Sequence, residues 1–463
     1  YNLNGGAIES LSSNFSQWTM MSYVGRINYG LMDRYLLTAS LRYDGSSRLS
    51  EGNKWALFPS AAIAWRITEE DFAKNLDWLS NLKLRFSYGQ AGNTNSVSPY
   101  ASEGTISGSV YYPFGTSTSV GNLPANIANP MLTWERTSEY NVGLDFGFLN
   151  QRISGNIEYY NRTTNDLLMK RNIPVHLGYS SVTSNVGSVR NSGFELQLNT
   201  ANIMTKNFAW NTTINLAYNK NEIVSLADEE DLSNYSIHLQ GMRGRYSDKR
   251  FIGKPVDTNW TQNTIGVWQL GEEEEAAKYG CVPGNFKIKD YNNDGKLTDD
   301  DYIIDGKRTP DWTGGMTNMF KIYDFDFSFH MYFQAGATQY DRFFENFALE
   351  WNSQNFNNLR TNYWTPENPS NTMGRPSQMG SRGNIAYEKT DFLKVSYITL
   401  GYTLNKRLMS KWGLDNARIY VTVQNPFILT KFRGLDPEQP DLTNIGDTDG
   451  MTMNALLGVN ISF

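Results

Sequence analysis

The feature that most constrains this chain is an alternation of apolar and polar residues with a period of two, repeated along almost its whole length. At residues 325–333, Phe325, Phe327, Phe329, Met331 and Phe333 alternate with Asp326, Ser328, His330 and Tyr332. The last nine residues, ALLGVNISF, set Leu457, Val459, Ile461 and Phe463 against Gly458, Asn460 and Ser462. Successive side chains of a strand point to opposite faces, so each such segment has one apolar and one polar face. A single strand of this kind fits a soluble sandwich. Its recurrence over the whole sequence, on segments of about ten residues, fits an all-β transmembrane antiparallel β-barrel, with apolar residues toward lipid and polar residues toward the lumen.

The bulk properties agree. No run approaches the roughly 18 apolar residues of a spanning helix, so a membrane-spanning reading requires a barrel, the other structure that pairs every backbone group in lipid. Aromatic residues make up 14% of the chain although the mean hydropathy is −0.50, a combination that two aromatic belts at membrane interfaces would produce. The net charge of −6 gives no electrostatic basis for binding nucleic acid. Cys281 is the single cysteine, which excludes an intrachain disulfide.

Taken in order, the alternation predicts strands at 23–29, 35–43, 59–67, 82–88, 140–146, 153–159, 194–199, 214–218, 316–322, 325–333, 393–404, 417–424 and 455–463. The phase is mixed at 393–404, which predicts a bulge there. Residues 69–78 read as a short helical connection. Residues 91–133, 221–311 and 337–390 read as long loops. Counting back from Phe463 at the periplasmic end puts every long loop outside and every short turn inside, as in outer-membrane barrels. About thirteen strands cannot close pairwise in antiparallel fashion. The chain is therefore expected to be the C-terminal part of a larger barrel.

Several motifs resemble the SusC/RagA family of TonB-dependent outer-membrane transporters of Gram-negative bacteria. They are RYDGSSRL (42–49), LFPSAAIAWRI (57–67), LKLRFSYGQAGN (82–93), WERTSEYNVGLDFGFLNQRISGNIEYYNR (134–162), VRNSGFELQL (189–198), TPDWTGG (309–315), YITLGYTL (397–404) and NARIYVTVQNPFILTKF (416–432). The resemblance covers essentially all 463 residues. It implies a 22-stranded barrel, a plug domain, a TonB-binding segment and a SusD-like surface lipoprotein as a lid; the chain itself contains neither plug nor TonB box. It also implies active import of an oligomeric nutrient, an oligosaccharide in preference to an oligopeptide, with a passive porin as the alternative.

One motif carries defined chemistry. Residues 290–301 match a calcium loop of the EF-hand type, with Asp290, Asn292, Asp294, the Lys296 carbonyl and Asp301 at ligand positions 1, 3, 5, 7 and 12 and Gly295 at the sharp turn. Asp301 stands where Glu is usual, and the following YIIDG reads as extended. The expected role is structural, a Ca2+ ion pinning an external loop. The acidic stretches 228–231 and 272–275 read as solvated loop with a helical turn. His176, His238 and His330 show no metal-ligand spacing. No nucleophile elbow, acid/base pair or phosphate loop stands out, so the chain does not read as an enzyme. Tyr29, Tyr43, Tyr88, Phe146 and Phe463 read as interface belts. Tyr111, Tyr112, Phe114, Trp260 and Trp351 are loop aromatics that could stack on sugar or pack within the loops.

Overall fold

The computed structural model describes residues 15–173, 176, 178–179, 181–226, 233–234, 243–245, 250–349, 361–376, 381–405, 409, 413–439 and 451–462. The stretch 228–231, His238, Trp351 and Phe463 lie outside them. Thirteen strands form one antiparallel sheet in which each pairs with its neighbour in sequence. They are β1 (Met20–Leu31), β2 (Tyr35–Ser46), β3 (Trp55–Arg66), β4 (Leu79–Asn93), β5 (Glu135–Phe148), β6 (Ile153–Asn165), β7 (Ser188–Met204), β8 (Phe208–Ser225), β9 (Trp312–Ile322), β10 (Phe325–Ala335), β11 (Phe392–Thr403), β12 (Asn416–Thr430) and β13 (Asn454–Ser462). All thirteen expected strands are present. Most run several residues beyond the alternating core at the end that carries the long loops.

Register aligns the apolar faces into continuous rows. Trp65, Leu84, Leu144, Ile157, Leu196 and Leu216 are successive partners from β3 to β8. Two residues further toward the long loops, Ile63, Phe86, Val142, Tyr159, Phe194 and Tyr218 do the same. Half of these large apolar side chains, Ile63, Leu84, Phe86, Val142, Ile157 and Tyr159, are exposed. A contiguous apolar face of this extent is not tolerated in water, and it is what a lipid-facing wall requires. Aromatic clusters flank it. Toward the short turns Trp78 stacks on Phe148 at 5.8 Å and Trp210 on Phe320 at 5.5 Å. Toward the long loops Trp55 stacks on Tyr43 at 4.9 Å, and Trp312 packs on Tyr218 at 4.9 Å.

The connections alternate in length as expected. Met32 and Asp33, each with φ +53°, turn β1 into β2, and Tyr323, also φ +53°, turns β9 into β10; positive φ gives the turn the twist of the flanking strands. The 67–78 connection differs from the expected helix: it is a 3-10 turn at Ile67–Glu69 followed by further turns. Glu70 pins it by accepting from Tyr35 Oη at 2.7 Å and Trp65 Nε1 at 3.0 Å. The expected bulge in β11 is at Ser396. His330 pairs with Tyr397 while Met331 pairs with Val395, which leaves Ser396 unpaired and flips the outward parity. The 91–133 loop is not irregular throughout; it contains a hairpin of Ile106–Phe114 and Ser117–Pro124.

Candidate functional site

The polar face of the sheet is cross-linked. Arg85 of β4 donates to both carboxylate oxygens of Asp145 on β5, and its Nη2 also reaches Glu158 of β6 at 2.7 Å. Asn141 donates to the other Glu158 oxygen at 3.1 Å, and Lys83 is 3.5 Å from Asp145. Arg418 of β12 forms a two-pronged pair with Asp326 of β10. His330 shares a hydrogen bond of 2.9 Å with Thr317 and stacks on Tyr397 at 5.7 Å, so it is a wall residue of the polar face, as the alternation implied. These pairs tie three or four strands together and leave a trough of about 790 Å3 on this face, lined by Arg26, Ser40, Ser60, Gln90, Glu139 and Arg162 among others.

At the long-loop end the insertions fold into two packed bodies. Leu49, Phe58, Val97, Leu132, Trp134 and Leu168 form a core between the β2–β3, β4–β5 and β6–β7 loops. A second core joins the two longest insertions: Val267, Phe286 and Ile288 from the β8–β9 loop meet Phe344, Trp364 and Met373 from the β10–β11 loop. Hydrogen bonds stitch the same junction. Val267 N donates to Asn371 Oδ1 at 2.9 Å, Thr264 N to Asn384 Oδ1 at 3.0 Å, and Trp364 Nε1 to Gln269 Oε1 at 3.0 Å. Residues 250–311, 361–376 and 381–390 are thus a built structure with a core. The 272–275 stretch is a helix start, Glu273–Lys278. Within it Glu272 pairs with Lys287 at 2.8 Å, and that ammonium holds the Glu272 carboxyl below its ordinary range.

Two cavities open beside this junction and share Arg250 and Val256. One, of about 340 Å3, is mainly apolar, with Leu167, Met169, Val189 and Ile223 in its wall. The other, of about 500 Å3, is polar and lies where the β8–β9 and β10–β11 loops meet. Its wall includes Tyr340 and Tyr387, whose rings meet edge to face at 5.0 Å. Burial holds both phenols above their ordinary range, so they stay protonated donors; Tyr340 spends its proton on Glu345. Trp260 is in the same wall but only 5% exposed, packed on Phe251 at 4.7 Å and Tyr302 at 5.7 Å. It is a packing residue of the loop, whereas Tyr111, Tyr112 and Phe114 are exposed on the hairpin. These cavities were not visible in the sequence, because their walls come from segments far apart in it.

The 290–301 loop turns as its spacing requires, with φ +56° at Asn293 and +78° at Gly295. Its oxygens are directed at backbone amides. Asp290 accepts from Asn293 N at 2.6 Å and Gly295 N at 2.9 Å, Asn292 from Asp294 N at 3.0 Å, and Asp294 from Lys296 N at 2.8 Å. Asp301 is fully buried and accepts from Tyr291 N at 2.8 Å and Thr298 N at 2.9 Å, closing a capping box before the extended segment Tyr302–Lys307. Among the described residues no three carboxylate, imidazole or thiol side chains are gathered as a metal would gather them. His176 is exposed.

Comparison with known proteins identifies the family. The model of the TonB dependent receptor-like beta-barrel matches residues 1–313. TonB-dependent receptor SusC of Bacteroides thetaiotaomicron is 35% identical over 457 residues, covering 96% of this chain and 44% of that protein. TonB-dependent receptor P26 of Formosa agariphila is 33% identical, covering 98% of this chain and 47% of that protein. Among solved structures, the RagAB peptide transporter superposes with a TM-score of 0.77 at 25% identity, over 95% of this chain and 47% of that one. The chain spans about half the length of the relatives it matches. It belongs to the TonB-dependent receptor β-barrel family, SusC- and RagA-like, and is an outer-membrane protein of a Gram-negative bacterium.

Proposed function

We propose that this chain forms wall and extracellular loops of an active importer that takes up an oligomeric nutrient, an oligosaccharide in preference to an oligopeptide. The observation that carries this reading is the pair of long insertions, which share one core and together wall a polar cavity. Loops of this length are uncommon without a binding role. On this reading the loops dock a SusD-like surface lipoprotein and share a ligand chamber with it. Energy is delivered through TonB by a plug and TonB-binding segment of the whole protein, and the thirteen strands are part of a larger closed barrel, of 22 strands as the family implies. The test is uptake of a fluorescent oligosaccharide by cells carrying the full-length protein, with and without TonB. Uptake lost without TonB, and lost when the 337–390 loop is excised from an assembled barrel, supports import. Uptake that persists in both cases establishes a passive porin.

Residues 290–301 are proposed to bind Ca2+ through Asp290, Asn292, Asp294, the Lys296 carbonyl and Asp301. Spacing and the turn at Gly295 support it. The amide hydrogen bonds already hold the loop, so the ion would add rigidity to an ordered turn, and Asp301 would have to exchange its amide partners for metal.

A further inference from the structure

The polar cavity between the two long insertions has a charge unlike that of the protein around it. The chain carries a net charge of −6, yet this cavity is lined by three arginines, Arg250, Arg308 and Arg342, and by one carboxylate, Asp257. That carboxylate is already engaged: its Oδ2 accepts from Thr309 N at 2.6 Å and from the Thr309 hydroxyl. The two acids behind the tyrosines are engaged as well. Asp305 accepts from Asn384 Nδ2 at 2.8 Å, and Glu345 accepts from Tyr340.

Arg308 and Arg250 are not used in the same way. The Arg308 guanidinium is exposed and has no hydrogen-bond or carboxylate partner among the described residues. Among the described residues the Arg250 side chain donates only to the thioether of Met169, at 3.6 Å, a weak acceptor. Gln339 and the Tyr387 hydroxyl also line the cavity with no hydrogen-bond partner among the described residues. Asn259 braces the floor, donating to Asp305 O at 3.1 Å and Thr338 O at 2.7 Å. The wall is therefore rich in unspent donors and carries excess positive charge. A guanidinium fork matches a carboxylate or sulfate in two-pronged geometry. The amide and the phenol suit the ring and hydroxyl oxygens of a sugar.

We propose that this cavity binds an anionic sugar of an acidic oligosaccharide, with Arg308 and Arg250 holding the acidic group and Gln339 and Tyr387 holding neighbouring hydroxyls. The inference rests on the import reading and narrows its substrate. A cavity of about 500 Å3 holds one or two sugar rings. An acidic cargo also explains why the cations cluster at the junction of two loops: the site is complete only when the β8–β9 and β10–β11 insertions are packed together.

The test is equilibrium binding to the full-length transporter with its lipoprotein partner, using tetragalacturonate, a neutral galactose tetrasaccharide and a glutamate tetrapeptide as probes. Tetragalacturonate is expected to bind at least about tenfold more tightly than the neutral sugar, and the preference should shrink as salt rises. R308Q should weaken tetragalacturonate binding about tenfold while changing neutral-sugar binding less than about twofold, and R308K should restore part of the loss. Arg308 is exposed, so the variant should assemble; R250Q provides a second, independent variant of the same cavity. Equal affinity for acidic and neutral sugars, or acidic binding unchanged in both variants, would overturn the proposal. Preference for the glutamate peptide would overturn the sugar assignment. Either of these failures, with TonB-dependent uptake of a neutral oligosaccharide still intact, would leave the import reading standing and remove this one alone.

Discussion

Arg85 on β4 and Glu158 on β6 are joined at 2.7 Å across an intervening strand. They meet because the residue between them in register is Gly143. A Cβ at Gly143 would lie 2.9 Å from Arg85 Nη2, so any side chain there must push the guanidinium away. The arginine can move, but not without giving up Glu158.

The first prediction follows. G143V should destabilise the assembled barrel by about 1–3 kcal/mol, between the values for exposed and fully buried ion pairs, since these side chains are about a quarter exposed. E158Q should cost a similar amount, and the double variant less than the sum of the two. Urea unfolding of the folded band on unheated gels measures all three; strict additivity would show that Gly143 acts independently of the pair.

A second prediction concerns the two faces of β8. Leu216 lies in the outward apolar row and Asn215, its neighbour, on the polar face. L216R should cost about 2–4 kcal/mol, the depth-dependent cost of a cation in lipid, whereas N215R should assemble nearly as well as the parent. Comparable losses in the two variants would show that the alternation does not separate lipid from lumen.

The same alternation explains what could and could not be seen in the sequence. It found the strands because lipid imposes a strict rule on one face. It lost their ends, such as 89–93 of β4 and 219–225 of β8, because beyond the lipid both faces are polar although the ladder continues. The hairpin at Ile106–Phe114 and Ser117–Pro124 was hidden for a related reason: it has no buried apolar face to mark it, and its Gly, Ser and Thr content reads as loop. The bulge at Ser396 was legible because it shifts the phase of the outward residues from Leu393 and Val395 to Ile398 and Leu400. The arginine cavity was not legible at all. Arg250, Arg308, Arg342 and Tyr387 meet only after two insertions pack, and no local pattern encodes that contact.

A third prediction is a pH dependence in the loops. Asp341 caps the turn Arg342–Phe344, accepting from Phe344 N at 2.9 Å, and is fully buried with its second oxygen unpaired. Burial raises its carboxyl to about 6; Glu388 adds to the rise, while the Phe344 amide and Arg433 oppose it. The folded value exceeds the unfolded one, so the folded loop holds the proton more tightly. Its contribution to stability is complete below about pH 4 and is lost as pH rises through about 6. Hydrogen exchange of the Phe344 amide, corrected for intrinsic base catalysis, should accelerate between pH 5 and pH 7. D341N keeps the cap and should abolish the change. An unchanged profile in D341N would assign the effect to another group.

A fourth prediction concerns the loop at 290–301. Calorimetric titration of the protein with Ca2+ should show one site, lost in D290A and D294A and weakened in D301N. Added Ca2+ should slow exchange of the Gly295 and Lys296 amides. A flat titration, with these amides equally protected in chelator, would show that the backbone hydrogen bonds alone hold the loop.

The most direct test of the central claim, that period-two alternation divides lipid from lumen, is a nitroxide scan along β8. In the full-length protein with every native cysteine, Cys281 among them, replaced by serine, single cysteines at 213 through 219 would be spin-labelled in bilayers, and collisions with oxygen and with a water-soluble nickel complex measured at each. The account predicts a period of two, with oxygen favoured at 214, 216 and 218 and nickel at 213, 215, 217 and 219. Accessibilities that vary smoothly along the strand, or alternate in the opposite phase, would contradict it.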